Sequence, residues 1–168
     1  MTTRDIESKF IDQVERHKGI LFKISYAYGR TREDREDLAQ EIVVQLWRSF
    51  ERFDERQRFS TWMYRVALNV AISFHRREAT RAKHLVVTEA PLLDIAVEPA
   101  QMPENVARAY ELIEGLEALE RALMLLYLEG HSHREIGEVL GISETNAATK
   151  LSRIRQRLRR SVGENRDE

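Results

Sequence analysis

The segment RSFERFDERQRFSTW, at residues 48–62, combines the cationic and aromatic side chains needed to hold a single strand of nucleic acid. Phe53 and Phe59 can offer an apolar surface to a base. Extruding a base from a duplex costs free energy that stacking and edge contacts must offset. The arginines that can hold the phosphate backbone are Arg52, Arg56 and Arg58. The segment therefore favours strand separation, although Phe59 and Trp62 also fit an apolar helix stripe and are expected to pack in the core.

The segment that follows has helical periodicity, with polar side chains opposite its apolar stripe. Asn69 offers both a donor and an acceptor, which suits the reading of a base edge. The same face carries Arg65, Ile72 and Arg76. The apolar stripe, expected to face the core, consists of Phe59, Trp62, Met63, Val66, Ala67, Val70 and Phe74.

The helix predicted before this loop has an acidic, amide-bearing face. Its apolar residues recur every four positions and predict a core-facing stripe, namely Leu38, Ile42, Leu46 and Phe50. The other face, expected to be exposed, carries Asp37, Gln40, Glu41, Val44 and Arg48. Such a face suits docking onto a basic partner. A solvated helix face is the plainer alternative, since isolated surface charges contribute little.

The C-terminal part has the pattern of a helix-turn-helix. Ser132 and Glu135 predict a capping box, Gly141 predicts a tight turn, and Ser143 predicts the cap of the last helix. Gly137 is the small residue that lets the two helices approach closely. The outward face of the last helix, which can lie in a major groove, carries Thr145, Thr149, Ser152, Arg153 and Gln156. Phosphate contacts are expected from Lys150, Arg155, Arg157, Arg159 and Arg160.

Charge is segregated along the chain although the net charge is −1. Residues 60–87 and 144–160 are strongly basic, and residues 88–128 are strongly acidic. Basic helices are the footprint expected for phosphate contact. There is no cysteine, so disulfides and thiolate metal sites are excluded. No apolar run approaches the roughly 18 residues that a membrane span requires, so we expect a cytoplasmic protein without membrane insertion.

The periodicities predict an all-α fold of two small helical domains joined by a flexible linker. All three prolines lie in residues 86–103, which we interpret as the linker. The first domain is then expected at 1–85 and the second at 104–168.

The residues Asp37, Leu38, Gln40 and Glu41 match the D-L-x-Q-E pattern of region 2 of the bacterial sigma-70 family. The resemblance implies that these four residues bind the β′ clamp helices of core RNA polymerase. The F-S-T-W run at 59–62 resembles the part of region 2 whose aromatics support DNA melting. By the same resemblance, Phe53 and Asn69 belong to the pocket region for a flipped base of the promoter −10 element.

Residues 128–143, LEGHSHREIGEVLGIS, resemble region 4 of the same family, which reads the −35 element and contacts the β flap. The likeness weakens afterwards. Asn146, Ala147 and Ala148 stand where the family usually has threonine, valine and a basic residue, and Glu117 replaces a frequent proline. These departures concern the −35 sequence that is read, not the fold.

No segment between the two matches is large enough for the family's middle DNA-binding domain, which matches the small extracytoplasmic-function (ECF) group. The resemblance implies a non-enzymatic initiation subunit without a cofactor or metal. It also implies promoter DNA as a ligand, an anti-sigma factor as a partner and a monomeric free state. One alternative is a helix-turn-helix regulator that never binds polymerase, which would leave the D-L-x-Q-E pattern unexplained. Another is a metal-dependent enzyme using His131 and His133, a weak site without further ligands.

Overall fold

The computed structural model describes residues 1–80, 101–164 and 166. Within these residues every regular element is helical. The chain divides into two compact units, Met1–Gln101 and Met102–Glu168. The all-α, two-unit prediction is confirmed. The expected end of the first domain at residue 85 lies outside the described residues. So does the proposed linker, except for residues 101–103. The domain boundaries at 85 and 104 therefore stay predictions.

The described part of the first unit, residues 1–80, is a bundle of four α-helices. They are α1 (Thr3–Arg16), α2 (Lys18–Tyr28), α3 (Arg32–Ser49) and α4 (Phe59–Thr80), with a 3₁₀ turn at Phe50–Arg52. Helix α3 packs against α4, and α2 packs against both. The Thr31 hydroxyl accepts a hydrogen bond from the Asp34 N–H and begins α3. Gly29 ends α2 in an extended conformation. A Cβ there would lie 2.5 Å from Arg35 Cγ and 2.9 Å from the Arg35 nitrogen, so the close approach of α3 requires glycine at this position.

The predicted stripe of α3 is the centre of this bundle. Leu38, Ile42 and Leu46 are fully buried, and Phe50 is 8% exposed. Complete burial of such a side chain stabilises the fold by about 1.5–3 kcal/mol. The α3 stripe, and with it the helix period, is therefore confirmed.

The α4 stripe is only partly as predicted. Phe59, Trp62, Met63, Ala67 and Phe74 are buried as expected. Val66 and Val70 are half-buried instead, and the core positions are taken by Tyr64, Leu68 and Ala71. The apolar stripe of α4 is thus rotated from the one expected, because α2 and α3 both pack on this helix.

The second unit also contains four helices. They are α5 (Glu104–Glu114), α6 (Ala118–Leu128), α7 (His133–Leu140) and α8 (Glu144–Glu164). Helix α7 packs on α8, and α6 contacts both. Gly130 ends α6 with a φ of 84°, and Gly141 ends α7 with a φ of 71°. Glycine suits these left-handed positions because it has no Cβ.

The caps of the helix-turn-helix are confirmed. Ser132 and Glu135 form the predicted reciprocal capping box. The Ser143 hydroxyl accepts a hydrogen bond of 3.0 Å from the Asn146 N–H and begins α8. Ala147, Leu151 and Ile154 of α8 are buried, whereas Leu158, one turn beyond Ile154, is half-buried.

Candidate nucleic-acid and partner interfaces

The D-L-x-Q-E segment lies in the first half of α3, and its residues divide between surface and core. Asp37 and Gln40 are exposed, as predicted. Leu38 is fully buried, as its place in the core stripe predicts, and its contact with a partner stays a prediction. Val44 was expected on the exposed face and is 7% exposed. Leu38 and Val44 both pack into the bundle. The buried face of α3 is therefore wider than the predicted apolar stripe.

Glu41 is not a freely exposed carboxylate. It is half-buried and forms an ion pair with Arg77 of α4. The Glu41 side chain is 22% exposed and that of Arg77 is 29% exposed. A half-buried pair is screened less by salt than a surface pair. Glu41 therefore links α3 to α4 as well as lying beside the exposed Asp37 and Gln40.

The loop between α3 and α4 carries three exposed arginines, one of which forms an ion pair within the loop. Arg52 and Arg58 are exposed. Arg56 Nη2 donates to Asp54 Oδ2 at 2.8 Å, and its backbone N–H donates to Asp54 Oδ1 at 3.0 Å. The Arg56 guanidinium, and then its backbone N–H, hold the pKa of Asp54 below its usual range. A phosphate would have to compete with Asp54 for Arg56.

Phe53 lies in a cluster of aromatic rings rather than in open solvent. Its ring centroid is 5.0 Å from that of Trp62, 5.5 Å from Phe59 and 6.3 Å from Phe50. Phe53 is half-buried, whereas Phe59 and Trp62 are buried. Core packing of Phe59 and Trp62 is thus confirmed. These ring contacts join the loop that carries the arginines to the first turn of α4.

Helix α4 brings the predicted −10 residues to the surface. Asn69 and Arg76 are exposed, and Arg65 is half-exposed. Asn69 also lines a groove between α3 and α4, with a volume of about 530 Å³. The half-buried Val66 and Val70 lie in this groove, and the Glu41–Arg77 pair lines it as well. Residues of the D-L-x-Q-E segment of α3 and of the face of α4 predicted to contact the −10 element therefore meet at one groove.

In the second unit, α8 presents the predicted hydroxyl-rich face. Thr145, Thr149 and Ser152 are exposed. The αL turn at Gly141 and the Ser143 cap orient the first turn of α8, as in a helix-turn-helix that enters a major groove. This geometry supports DNA reading by the N-terminal half of α8.

Arg153 and Gln156 are exposed further along α8, but they also line a second groove. Leu119 and Leu123 of α6 line the same groove, which has a volume of about 410 Å³. Lys150, predicted as a phosphate contact, is half-buried there. Arg157 forms an ion pair with Glu120, and the Arg155 guanidinium lies 4.9 Å from the centroid of the Tyr127 ring. The basic residues of α8 thus divide between its outward face and its contact with α6.

The sequence reasoning missed two arginines with structural roles. Arg77 belongs to the basic segment 60–87, and its partner Glu41 is 36 residues away in sequence. Arg121 lies in the acidic segment 88–128, whose net charge gives no sign of its burial, and it is 4% exposed. It donates to the carbonyl oxygens of Glu114, at 2.7 Å, and Leu116, at 3.0 Å. Its position within the apolar run ALERALMLLYL was the one available signal of burial.

No cluster of three or more potential metal ligands occurs among the described residues. His131 contacts Glu135 at 3.2 Å, within the start of α7, and His133 is exposed. The pair of histidines therefore belongs to the capped helix start. Of the helices described, none combines the length and apolar character that crossing a membrane would require.

Comparison with known proteins matches both units to one family. Residues 13–81 match the family model described as Sigma-70 region 2, and residues 107–158 match Sigma-70, region 4. The chain is 24% identical to the ECF RNA polymerase sigma factor SigW of Bacillus subtilis, over 93% of this chain and 90% of that protein. It is 27% identical to the ECF sigma factor SigE of Mycolicibacterium smegmatis, over 87% of this chain and 58% of that protein.

Two solved structures share the fold. One is CnrH in complex with the cytosolic domain of CnrY, with a TM-score of 0.65 and 22% identity over 95% of this chain and 96% of that chain. The other is the sigma factor RpoE of Bartonella quintana in complex with the anti-sigma factor NepR. It has a TM-score of 0.69 and 19% identity over 92% of this chain and 97% of that chain.

Proposed function

The chain belongs to the sigma-70 family, in its ECF group, and from this membership we propose that it is an alternative sigma factor. It binds core RNA polymerase, recognises −10 and −35 promoter elements and promotes DNA melting. The observation that carries the proposal is the order of two different matches in one chain, region 2 at 13–81 and region 4 at 107–158. A helix-turn-helix regulator would account for the second match alone, so this alternative is not favoured.

The roles divide between the two units. Asp37, Gln40 and Glu41 form the docking surface for the β′ clamp helices, with Leu38 holding α3 in place. The −10 strand is met by Phe53 and Asn69 and by the arginines Arg52, Arg56, Arg58, Arg65 and Arg76. The −35 duplex is met by α8, through Thr145, Thr149, Lys150, Ser152, Arg153 and Gln156. Residues 86–103 serve as the linker between a first domain at 1–85 and a second at 104–168.

The protein itself is not an enzyme, since the polymerase supplies the chemistry of transcription, and it acts in the cytoplasm as a monomer until it binds. The β flap is the second polymerase contact. An anti-sigma factor is a fitting regulator, because the structural neighbour RpoE was solved with the anti-sigma factor NepR bound.

Transcription in vitro provides the test of this function. The purified chain and core polymerase should together initiate from a subset of a random promoter pool, and the selected DNA should contain two conserved elements. Core polymerase alone should not select them. Binding of the free chain to a palindromic DNA as a dimer, without any effect on core polymerase, would favour the regulator instead.

Asn69→Ala should impair melting more than promoter binding. Asn69 is exposed on α4, and an amide that acts on an unpaired base does so only after strand separation. Permanganate reactivity of the −10 region should therefore fall more than closed-complex formation. Arg76→Ala, which removes an exposed phosphate contact from the same helix, is the contrast and should weaken both. An equal loss of both for Asn69→Ala would make Asn69 a general binding or folding residue.

Arg153→Ala should relax the preference at one −35 position, because a bidentate arginine–guanine pair is worth about 1–3 kcal/mol of discrimination. Arg159→Ala is the matched control on α8. It should weaken binding evenly across sequences and lower the salt slope by about one unit. Selection from randomised −35 DNA at several salt concentrations measures both effects. If both variants select the same motif as the unmodified chain and keep its salt dependence, α8 does not read the −35 element.

A further inference from the structure

Helix α1 has no part in the proposed function, yet it contacts the loop between α3 and α4, at residues 53–58. Most of α1 precedes the residues that match Sigma-70 region 2. We propose that α1 positions this loop for strand separation, with Phe10 and Lys9 as the positioning residues. The inference rests on the proposed role of the loop in DNA melting, and it adds α1 to the parts of the chain on which melting depends.

Phe10 is connected to the loop through one aromatic ring. It is fully buried and meets Phe50 edge to face, with the ring centroids 5.2 Å apart. Aromatic pairs prefer this geometry. The Phe50 ring in turn stacks with that of Phe53, the first residue of the loop. The Phe53 N–H also donates a hydrogen bond of 3.1 Å to the Phe50 carbonyl oxygen. A shift of the Phe10 ring therefore acts on the residue that holds the start of the loop.

An ion pair joins α1 to the middle of the loop. Lys9 Nζ contacts the Glu55 carboxylate, 46 residues away in sequence. The hydrogen bonds between Arg56 and Asp54 lie within the loop, so they shape it without fixing its position. The Lys9 and Glu55 side chains are 41% and 69% exposed, so the pair contributes little to stability. Its main effect is to restrain where the loop lies relative to α1.

The rings on both sides of the loop are contacted from α1 or from the residue that follows it. Phe50 precedes the loop and is contacted by Phe10. Phe59 follows the loop and begins α4, and its ring centroid lies 5.1 Å from that of His17. His17 Nδ1 lies 2.9 Å from the carbonyl oxygen of Gln13 in α1. The two ends of the loop are thus both connected to α1.

The position of the loop decides where its exposed cations lie. Arg52 comes directly before Phe53, and Arg58 comes directly before Phe59; both arginines are exposed. Ordering side chains and loops on binding costs conformational entropy. A loop already held by α1 presents its arginines to a separated strand without that cost, whereas a released loop would first have to be ordered. Loss of the α1 contacts should therefore impair strand separation more than docking onto polymerase.

Phe10 also stabilises the bundle, so the test must separate positioning from stability. Phe10→Leu keeps an apolar side chain but removes the ring that meets Phe50. Ile24→Val is the matched control, because Ile24 is a fully buried residue of α2. Both changes are expected to lower the melting temperature slightly. Only Phe10→Leu should alter the loop and the melting of DNA.

Hydrogen exchange in the free chain measures the position of the loop without DNA. Phe10→Leu should speed exchange of the Phe53 amide about fivefold, since an edge-to-face ring contact is lost. The Gly29 amide, which donates to the Ser25 carbonyl oxygen at 2.9 Å in α2, should be unchanged. Ile24→Val should leave the Phe53 amide unchanged. Unaltered exchange at Phe53 in Phe10→Leu, or equal acceleration at Gly29, would overturn the inference.

Holoenzyme assembled from the full chain and core polymerase measures the consequence for melting. On a promoter returned by the random pool, Phe10→Leu should lower permanganate reactivity of the −10 region about fivefold. Closed-complex formation and core-polymerase affinity should be unchanged, and Ile24→Val should change none of the three. An equal loss of melting in both variants would make Phe10 a stabilising residue only.

The ion pair is tested by a double-variant cycle. Lys9→Ala should lower permanganate reactivity about twofold in the unmodified background, and should have no effect when Glu55→Ala is already present. Lys18→Ala, which removes an exposed cation from α2, is the control and should leave melting unchanged. An effect of Lys9→Ala that persists without Glu55 would contradict a positioning role for Lys9. Absence of promoter-specific transcription by the unmodified chain would overturn the proposed function, whereas hydrogen exchange in the free chain would still decide whether α1 positions the loop.

Discussion

Replacing Gln40 with alanine and Glu41 with glutamine should lower the affinity for core polymerase at least tenfold, a change of about 1.4 kcal/mol. Gln40 is exposed on α3, and Glu41 carries the half-buried carboxylate next to it. The double variant removes a hydrogen-bonding amide and a negative charge from the docking surface. Glutamine at 41 keeps the size of the side chain and can still accept a hydrogen bond from Arg77. The variant should therefore remain folded, and a titration of labelled chain with core polymerase measures the loss.

A matched control makes the same chemical changes on another helix. Gln13→Ala with Glu15→Gln alters an amide and an exposed carboxylate of α1, and should leave core affinity unchanged. Equal affinities for the docking variant and this control would remove the basis for assigning the docking surface to α3. A lysine at 41 would be a less informative change. It would place a second cation beside Arg77 and destabilise the α3–α4 contact, so binding and folding would be lost together.

Features governed by neighbours in sequence could be predicted. The caps at Ser132 and Ser143 depend on hydrogen bonds that span three residues. The α3 stripe depends only on helical periodicity, because one wide face of that helix is buried. The fold class and the helix-turn-helix follow from such local signals.

Features that depend on which helices meet could not be predicted. Val66 and Val70 fit the apolar stripe of α4 as well as Leu68 and Ala71 do, and only the packing of α2 and α3 decides between them. The ion pair of Glu41 with Arg77 joins residues 36 positions apart. The residues of the candidate site could therefore be identified from the sequence. The ion pair of Glu41 with Arg77 and the groove between α3 and α4 could not.

The close contact between α7 and α8 leads to the largest expected effect on stability. A Cβ at Gly137 would lie 2.6 Å from the Ile142 carbonyl oxygen, and 3.4 Å from the Glu144 nitrogen. These are backbone atoms of the turn and of the start of α8, so they cannot move aside without displacing the reading helix. Overpacking of this kind costs about 1–3 kcal/mol. The better helix propensity of alanine offsets about 1 kcal/mol at most.

Gly137→Ala should therefore destabilise the second unit and abolish selective −35 binding at temperatures where the parent is folded. Both tryptophans, Trp47 and Trp62, lie in the first unit. In urea, tryptophan fluorescence should report an unchanged transition, while the far-ultraviolet circular dichroism shows an earlier loss of helix. Gly163→Ala is the matched control, since a Cβ there meets nothing within 4 Å, and it should be neutral or slightly stabilising. If Gly137→Ala were as stable as Gly163→Ala, helix propensity would outweigh the contact, and the approach of α7 to the start of α8 would not require glycine.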